Sequence, residues 1–73
     1  MREAEVVDAR GRSCPEPVLM TKRRLESLGK GQVLVLVDNG AARDNVTRLA
    51  NHLGWQVRVE TAEGEFRLHL NKD

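Results

Sequence analysis

Five successive β-prone residues, Val33-Leu34-Val35-Leu36-Val37, fix where this chain builds its sheet. Such a run has no polar side, so it reads as a strand that is either covered on both faces or central in its sheet. Length alone does not separate the two. Beyond it, Asp38 and Asn39 are both residues that cap helices, and Ala42, Val46, Leu49, Ala50 and Leu53 fall on one stripe before Gly54. A second helix follows from that spacing. Val57/Val59 and Phe66/Leu68/Leu70 then alternate with polar residues on either side of Ala62-Glu63-Gly64-Glu65, the pattern of two half-buried strands joined in a hairpin.

On the N-terminal side, Val18, Thr21, Leu25 and Leu28 recur at helical spacing, and Gly29 and Gly31 supply a stop, so the first helix is expected over Pro15–Leu28. Val6-Val7, ahead of the turn-prone Asp8-Ala9-Arg10-Gly11, suggests a brief first strand. The order is βαβαββ. A strand–helix–strand unit needs a crossover, which makes the first two strands parallel and, with the usual right-handed connection, lays the helix on a sheet face. The later strands alternate, so only one face is apolar and both helices should cover it. The expected architecture is an α/β (α+β) two-layer sandwich, a mixed four-stranded sheet with two helices on one face and the other face wet.

A chain of 73 residues without repeats, low-complexity segments or a linker is expected to form one domain over 1–73. Its single cysteine precludes an internal disulfide and suits a reducing compartment. The charged start, Met1-Arg2-Glu3-Ala4-Glu5, lacks the apolar run of a signal peptide, and no stretch approaches the ~20 apolar residues of a membrane span. The cytoplasm is the expected location, with no membrane partner. A net charge of +1 argues against a domain that holds nucleic acid by its phosphates. One Cys and two scattered His, His52 and His69, lack the paired spacings of a zinc site, and the glycines form no phosphate-binding fingerprint, so neither a metal nor another cofactor is expected.

Chemistry therefore centres on Cys14. A residue before proline is pushed toward extended geometry, as an N-cap requires, and proline is favoured at the first helical position. Read so, Cys14 is the cap, Pro15 and Pro17 occupy N1 and N3, and Glu16 N–H is the chief first-turn amide left for the sulfur. The positive end of the helix attracts negative charge on sulfur; Arg10 and Arg12 could add to that, and the Glu16 carboxylate opposes it. Helical geometry at Glu16 conflicts with the proline after it, so an irregular or tightened first turn is expected. The competing reading is a non-catalytic protein-binding or redox-regulatory module in which Cys14 is structural. Exposure separates them: a thiol packed among apolar side chains favours the module, and an exposed thiol at a helix tip favours transfer chemistry. The histidines lie near the end of the second helix and in the last strand, where solvent-facing positions are their ordinary explanation, and no Cys–His hydrolytic pair is evident.

The segment Asp8-Ala9-Arg10-Gly11-Arg12-Ser13-Cys14-Pro15-Glu16-Pro17 matches a D-x-x-G-x-x-C-P-x-P pattern, and the chain resembles the TusA/SirA/YedF family of sulfur-carrier proteins over about its full length. Asp38-Asn39, Ala42, Asn45-Val46, Ala50 and Gly54 look more like the YedF branch. The resemblance implies a βαβαββ sandwich like the C-terminal domain of translation initiation factor three. It also implies that Cys14 receives sulfane sulfur as a persulfide from a cysteine desulfurase or another donor and relays it to an acceptor protein, in tRNA thiolation or related sulfur or selenium metabolism. Pro15, Glu16 and Pro17 would then shape the helix start, and Arg10, Gly11 and Arg12 would contact the thiolate or a partner. Arg12 departs from the pattern, since relatives often carry an apolar residue there. YedF-like chains commonly continue into a second domain, and here such a domain is expected on a separate chain.

Overall fold

The computed structural model describes residues 5–73. The elements are β1 (Glu5–Asp8), α1 (Glu16–Leu28), β2 (Gly31–Val37), α2 (Gly40–His52), β3 (Gln56–Ala62) and β4 (Glu65–Lys72), in the expected βαβαββ order. They build a mixed sheet of strand order β1-β2-β4-β3. β1 runs parallel to β2, and β4 runs antiparallel to both β2 and β3. One row across the sheet explains the core: Val7 lies opposite Val35, Val35 opposite Leu68, and Leu68 opposite Val59.

β2 is central, the second of the two readings its sequence allowed, because it lies between β1 and β4. Val33, Val35 and Val37 are buried under the helices, whereas Leu34 and Leu36 on the opposite face are half-buried. The helices meet that layer along short stripes. α2 buries Ala42, Val46 and Ala50, with Leu53 packed at the margin, and α1 buries Pro17, Thr21 and Leu25. Leu28, read as part of the α1 stripe, is 36% exposed at the last position of the helix, just before its Gly29 cap. Trp55 fills the corner after α2 and is buried with the rest of the core.

The hairpin between β3 and β4 has Glu63 and Gly64 as its two central residues, both at positive φ (51° and 80°), which matches the right-handed twist of the paired strands. β4 carries the buried Leu68 and Leu70, and β3 takes the edge, where Val59 is 42% exposed. Beside it Phe66 is covered by the Arg43 guanidinium, 4.7 Å from the ring centroid. Among the described residues, no helix is long and apolar enough to cross a membrane.

Candidate functional site

β1 and β2 run in the same direction, and each leads through a loop into a helix. The N-termini of α1 and α2 therefore lie at one end of the sheet, beyond the carboxyl ends of both strands, where open α/β sheets place their ligands. Cys14 stands at this end with an exposed thiol.

The helix start differs from the one expected. α1 begins at Glu16 with Pro15 as its N-cap (φ −99°, ψ 19°), and Pro17 lies within the first two helical positions instead of at N3. Cys14 is thus one residue ahead of the cap. The physical reason is a separate turn before the helix, closed by Glu16 N–H donating to the Ser13 carbonyl at 2.9 Å. That amide, expected to face the sulfur, is engaged in closing the turn. The first intrahelical bond runs from Leu19 N–H to Pro15 C=O at 3.1 Å, and with Pro17 lacking an N–H, Val18 supplies the remaining first-turn donor. Glu16 is itself helical despite Pro17 after it, so the first turn of α1 is not irregular as expected; the departure from regular helix lies in the turn that precedes it.

Cys14 opens onto a small cavity of about 30 Å³, walled by Arg12 and Val18 on its own side and by Asn39, Ala42 and Asn45 of the facing segment. A space of that size is enough for a water or a small added group. Both helix N-termini border it, so two positive dipole ends converge on the sulfur side of the molecule. Glu16 carries the one acidic side chain in the first turn of α1, and the first turn of α2 has none.

The expected contacts of Cys14 divide. Arg12 lines the cavity beside it. Arg10 does not turn to the sulfur. Its Nε and Nη2 donate to the two Asp8 carboxylate oxygens at 2.9 and 2.8 Å, and its Nη1 donates to Glu65 at 3.2 Å. That fork, helped by the Arg10 backbone N–H on the same carboxylate, holds the Asp8 carboxyl well below its usual range, at about 2. Arg10 therefore ties the loop to the β3–β4 hairpin. Gly11 adopts φ +76°, a conformation that favours glycine, and its N–H donates to Asp38 Oδ2 at 2.7 Å instead of facing the thiol.

Asp38 and Asn39, both capping residues by sequence, take different roles. Asn39 caps α2, its Oδ1 accepting from Ala42 N–H at 2.8 Å, while Asp38 reaches back to the cysteine loop. The signal was in the pair itself: a helix has one N-cap, so the second capping residue was free for another amide. Asn45, named in the sequence only for its likeness to the YedF branch, lines the cavity beside Cys14, a place that depends on how the two helices pack. His52 is exposed on α2, and His69 hydrogen-bonds Glu60 at 3.0 Å on the sheet face away from the helices.

Comparison with known proteins bears on this geometry. A family model described as sulfurtransferase TusA matches residues 5–72. The chain is 40% identical over 68 residues to a Methanocaldococcus jannaschii protein provisionally named as a sulfur carrier, covering 90% of this chain and 91% of that one. It is 34% identical over 69 residues to the sulfur carrier protein TusA of Pseudomonas putida, covering 92% of this chain and 86% of that one. The crystal structure of a SirA-like protein from Desulfitobacterium hafniense superposes with a TM-score of 0.83 at 36% identity, covering 90% of this chain and 93% of that one.

Proposed function

The chain belongs to the TusA sulfurtransferase family, and on that premise we propose that it carries sulfur on Cys14. The Cys14 thiolate attacks the outer sulfur of a donor persulfide R–S–SH. A new S–S bond forms as the donor's own S–S bond breaks, R–S⁻ leaves, and the chain holds Cys14–S–SH. An acceptor thiolate then attacks that outer sulfur and Cys14 departs as thiolate, so the relay needs no external oxidant or reductant. The donor is a cysteine desulfurase or another persulfide-bearing protein, the acceptor is a downstream protein thiol, and the setting is tRNA thiolation or related sulfur metabolism in the cytoplasm.

The observation that carries this reading is the exposure of the single thiol at the mouth of a small cavity where two helix N-termini meet. A structural cysteine in a binding module would sit among the buried side chains, and Cys14 does not. With no second cysteine in the chain, the persulfide has no internal thiol with which to close a disulfide. Pro15, Glu16 and Pro17 support the relay by forming the turn and helix start that keep Cys14 outside the helix, and Arg12 adds positive charge beside it.

The test is intact-mass measurement after incubation with a cysteine desulfurase and free cysteine. One sulfur, about 32 Da, should be gained and then lost on treatment with reductant. Cys14→Ser, at an exposed site outside the core, should fold as the parent does and gain nothing. Sulfur on the Ser variant would end the proposal.

A further inference from the structure

We propose that Asp38 is a positioning residue for sulfur transfer, fixing the Cys14 loop against the head of α2 through its carboxylate; this rests on the carrier reading above. Between β1 and α1 the chain has two backbone donors that reach the rest of the fold. Ala9 N–H donates to Leu36 C=O at 2.9 Å, which only prolongs the β1–β2 pairing. Farther along, Gly11 N–H donates to Asp38 Oδ2 at 2.7 Å, across 27 residues of sequence. The remaining backbone donors bond locally: Arg10 N–H to Asp8 Oδ1 at 3.2 Å, Arg12 N–H to Ala9 C=O at 3.3 Å and Glu16 N–H to Ser13 C=O at 2.9 Å. The tether nearest to Cys14 along the loop is therefore the one to Asp38.

Asp38 is itself held. Its Oδ1 accepts from Asn39 Nδ2 at 3.2 Å, and the Asn39 side chain in turn caps α2 by accepting from Ala42 N–H. Gly11, Asp38, Asn39 and Ala42 form one hydrogen-bonded chain from the cysteine loop into the second helix. Asn39 and Ala42 are also walls of the cavity that Cys14 faces. The carboxylate thus sets the distance between the sulfur and the opposite wall without touching the sulfur. A charge-assisted bond of 2.7 Å is the short, strong kind, and Gly11 offers its amide at φ +76°, so the loop geometry and the bond support one another.

Transfer between two sulfurs depends on in-line placement, and misplacement of a reacting group by about 1 Å can slow a step by roughly a hundredfold. The experiment compares the initial rate of desulfurase-dependent mass gain for the parent, Asp38→Ala, Asp38→Asn and Val57→Ala, alongside exchange of the Gly11 amide followed by NMR. Asp38→Ala should load about ten- to a hundredfold more slowly and lose protection at Gly11. Asp38→Asn keeps an oxygen for that amide and should recover most of both. Val57→Ala, a β3 change far from the loop, controls for lost stability and should load close to the parental rate. Parental loading by Asp38→Ala would overturn the role. So would equal slowing in Val57→Ala, or slow loading by Asp38→Asn with Gly11 still protected. A parent that gains no sulfur removes the carrier reading itself, whereas a parent that loads beside an equally fast Asp38→Ala removes only the part assigned to Asp38.

Discussion

Thr21 is the one buried polar side chain among the described residues, fully enclosed on the core stripe of α1, and its Oγ1 has no hydrogen-bond partner. A threonine in a helix can return its hydroxyl to the carbonyl four residues back; Thr47 does so on α2, donating to Arg43 C=O at 2.7 Å, but Thr21 does not. An orphaned hydroxyl costs its desolvation with nothing regained. Replacing it by a side chain of the same shape should therefore stabilise the fold. Thr21→Val is expected to add about 1 kcal/mol, seen as a rise in Tm of roughly 4–8 °C for a domain of this size. A lower Tm would mean that the hydroxyl has a partner in solution. Sequence spacing placed Thr21 correctly on the buried stripe but gave no sign that its oxygen would go unpaired.

The elements each carry their own stop. The β3–β4 hairpin turns on Glu63 and Gly64, both left-handed, and an added Cβ at Gly64 would meet nothing within 4 Å. The cost of Gly64→Ala is then purely conformational, about 1 kcal/mol, from holding an L-residue at φ +80°. A chemical denaturation midpoint that does not move would show that the turn relaxes to another type. At the far end of the same hairpin, Lys72 Nζ donates to Leu53 C=O at 3.0 Å, which places a cation on the final carbonyls of α2 and ties that helix to β4. The two helices are thus finished differently at their starts, α2 by its own Asn39 and α1 by a turn without any side-chain cap. That difference leaves the first turn of α1 open beside Cys14.

At the scale of the whole molecule, Arg10 joins the cysteine loop to the hairpin by bridging Asp8 and Glu65. The Asp8 carboxyl is held at about 2, below its ordinary 3.8, chiefly by the side-chain hydrogen bonds from Arg10. A carboxyl depressed in the folded state contributes stability that is fully present above its unfolded value and is lost as the pH falls through the folded one. Stability should therefore decline from about pH 4 toward pH 2. Asp8→Asn should be less stable than the parent at neutral pH yet flatter in that window. The slope should not vanish, because Asp44 beside Arg43 and Glu60 beside His69 are depressed in the same direction. Urea midpoints measured from pH 2 to 6 would check this, and parallel curves would remove Asp8 from the account. All these pairs are solvent-exposed, so added salt should narrow the difference.

The sequence by itself determined the kinds and order of the elements, because each rests on a local period. Val33–Val37 reads as a strand, covered or central, the α2 stripe as a helix, and Ala62-Glu63-Gly64-Glu65 between two alternating runs as a hairpin. Motif and spacing also brought Cys14 to a helix start and the chain to its family. Tertiary structure alone decided which strand of the hairpin lies inside. Either could have docked on β2, and β4 did so because it offers Phe66, Leu68 and Leu70 to the helices where β3 offers only Val57 and Val59. It also decided what surrounds the sulfur. Arg10 is drawn away by carboxylates, one of them 55 residues distant, and Gly11 is held by Asp38 from 27 residues away. A hydrogen bond between residues so far apart in sequence has no local period to announce it; it exists only once parallel β1 and β2 bring their following loops to the same end of the sheet.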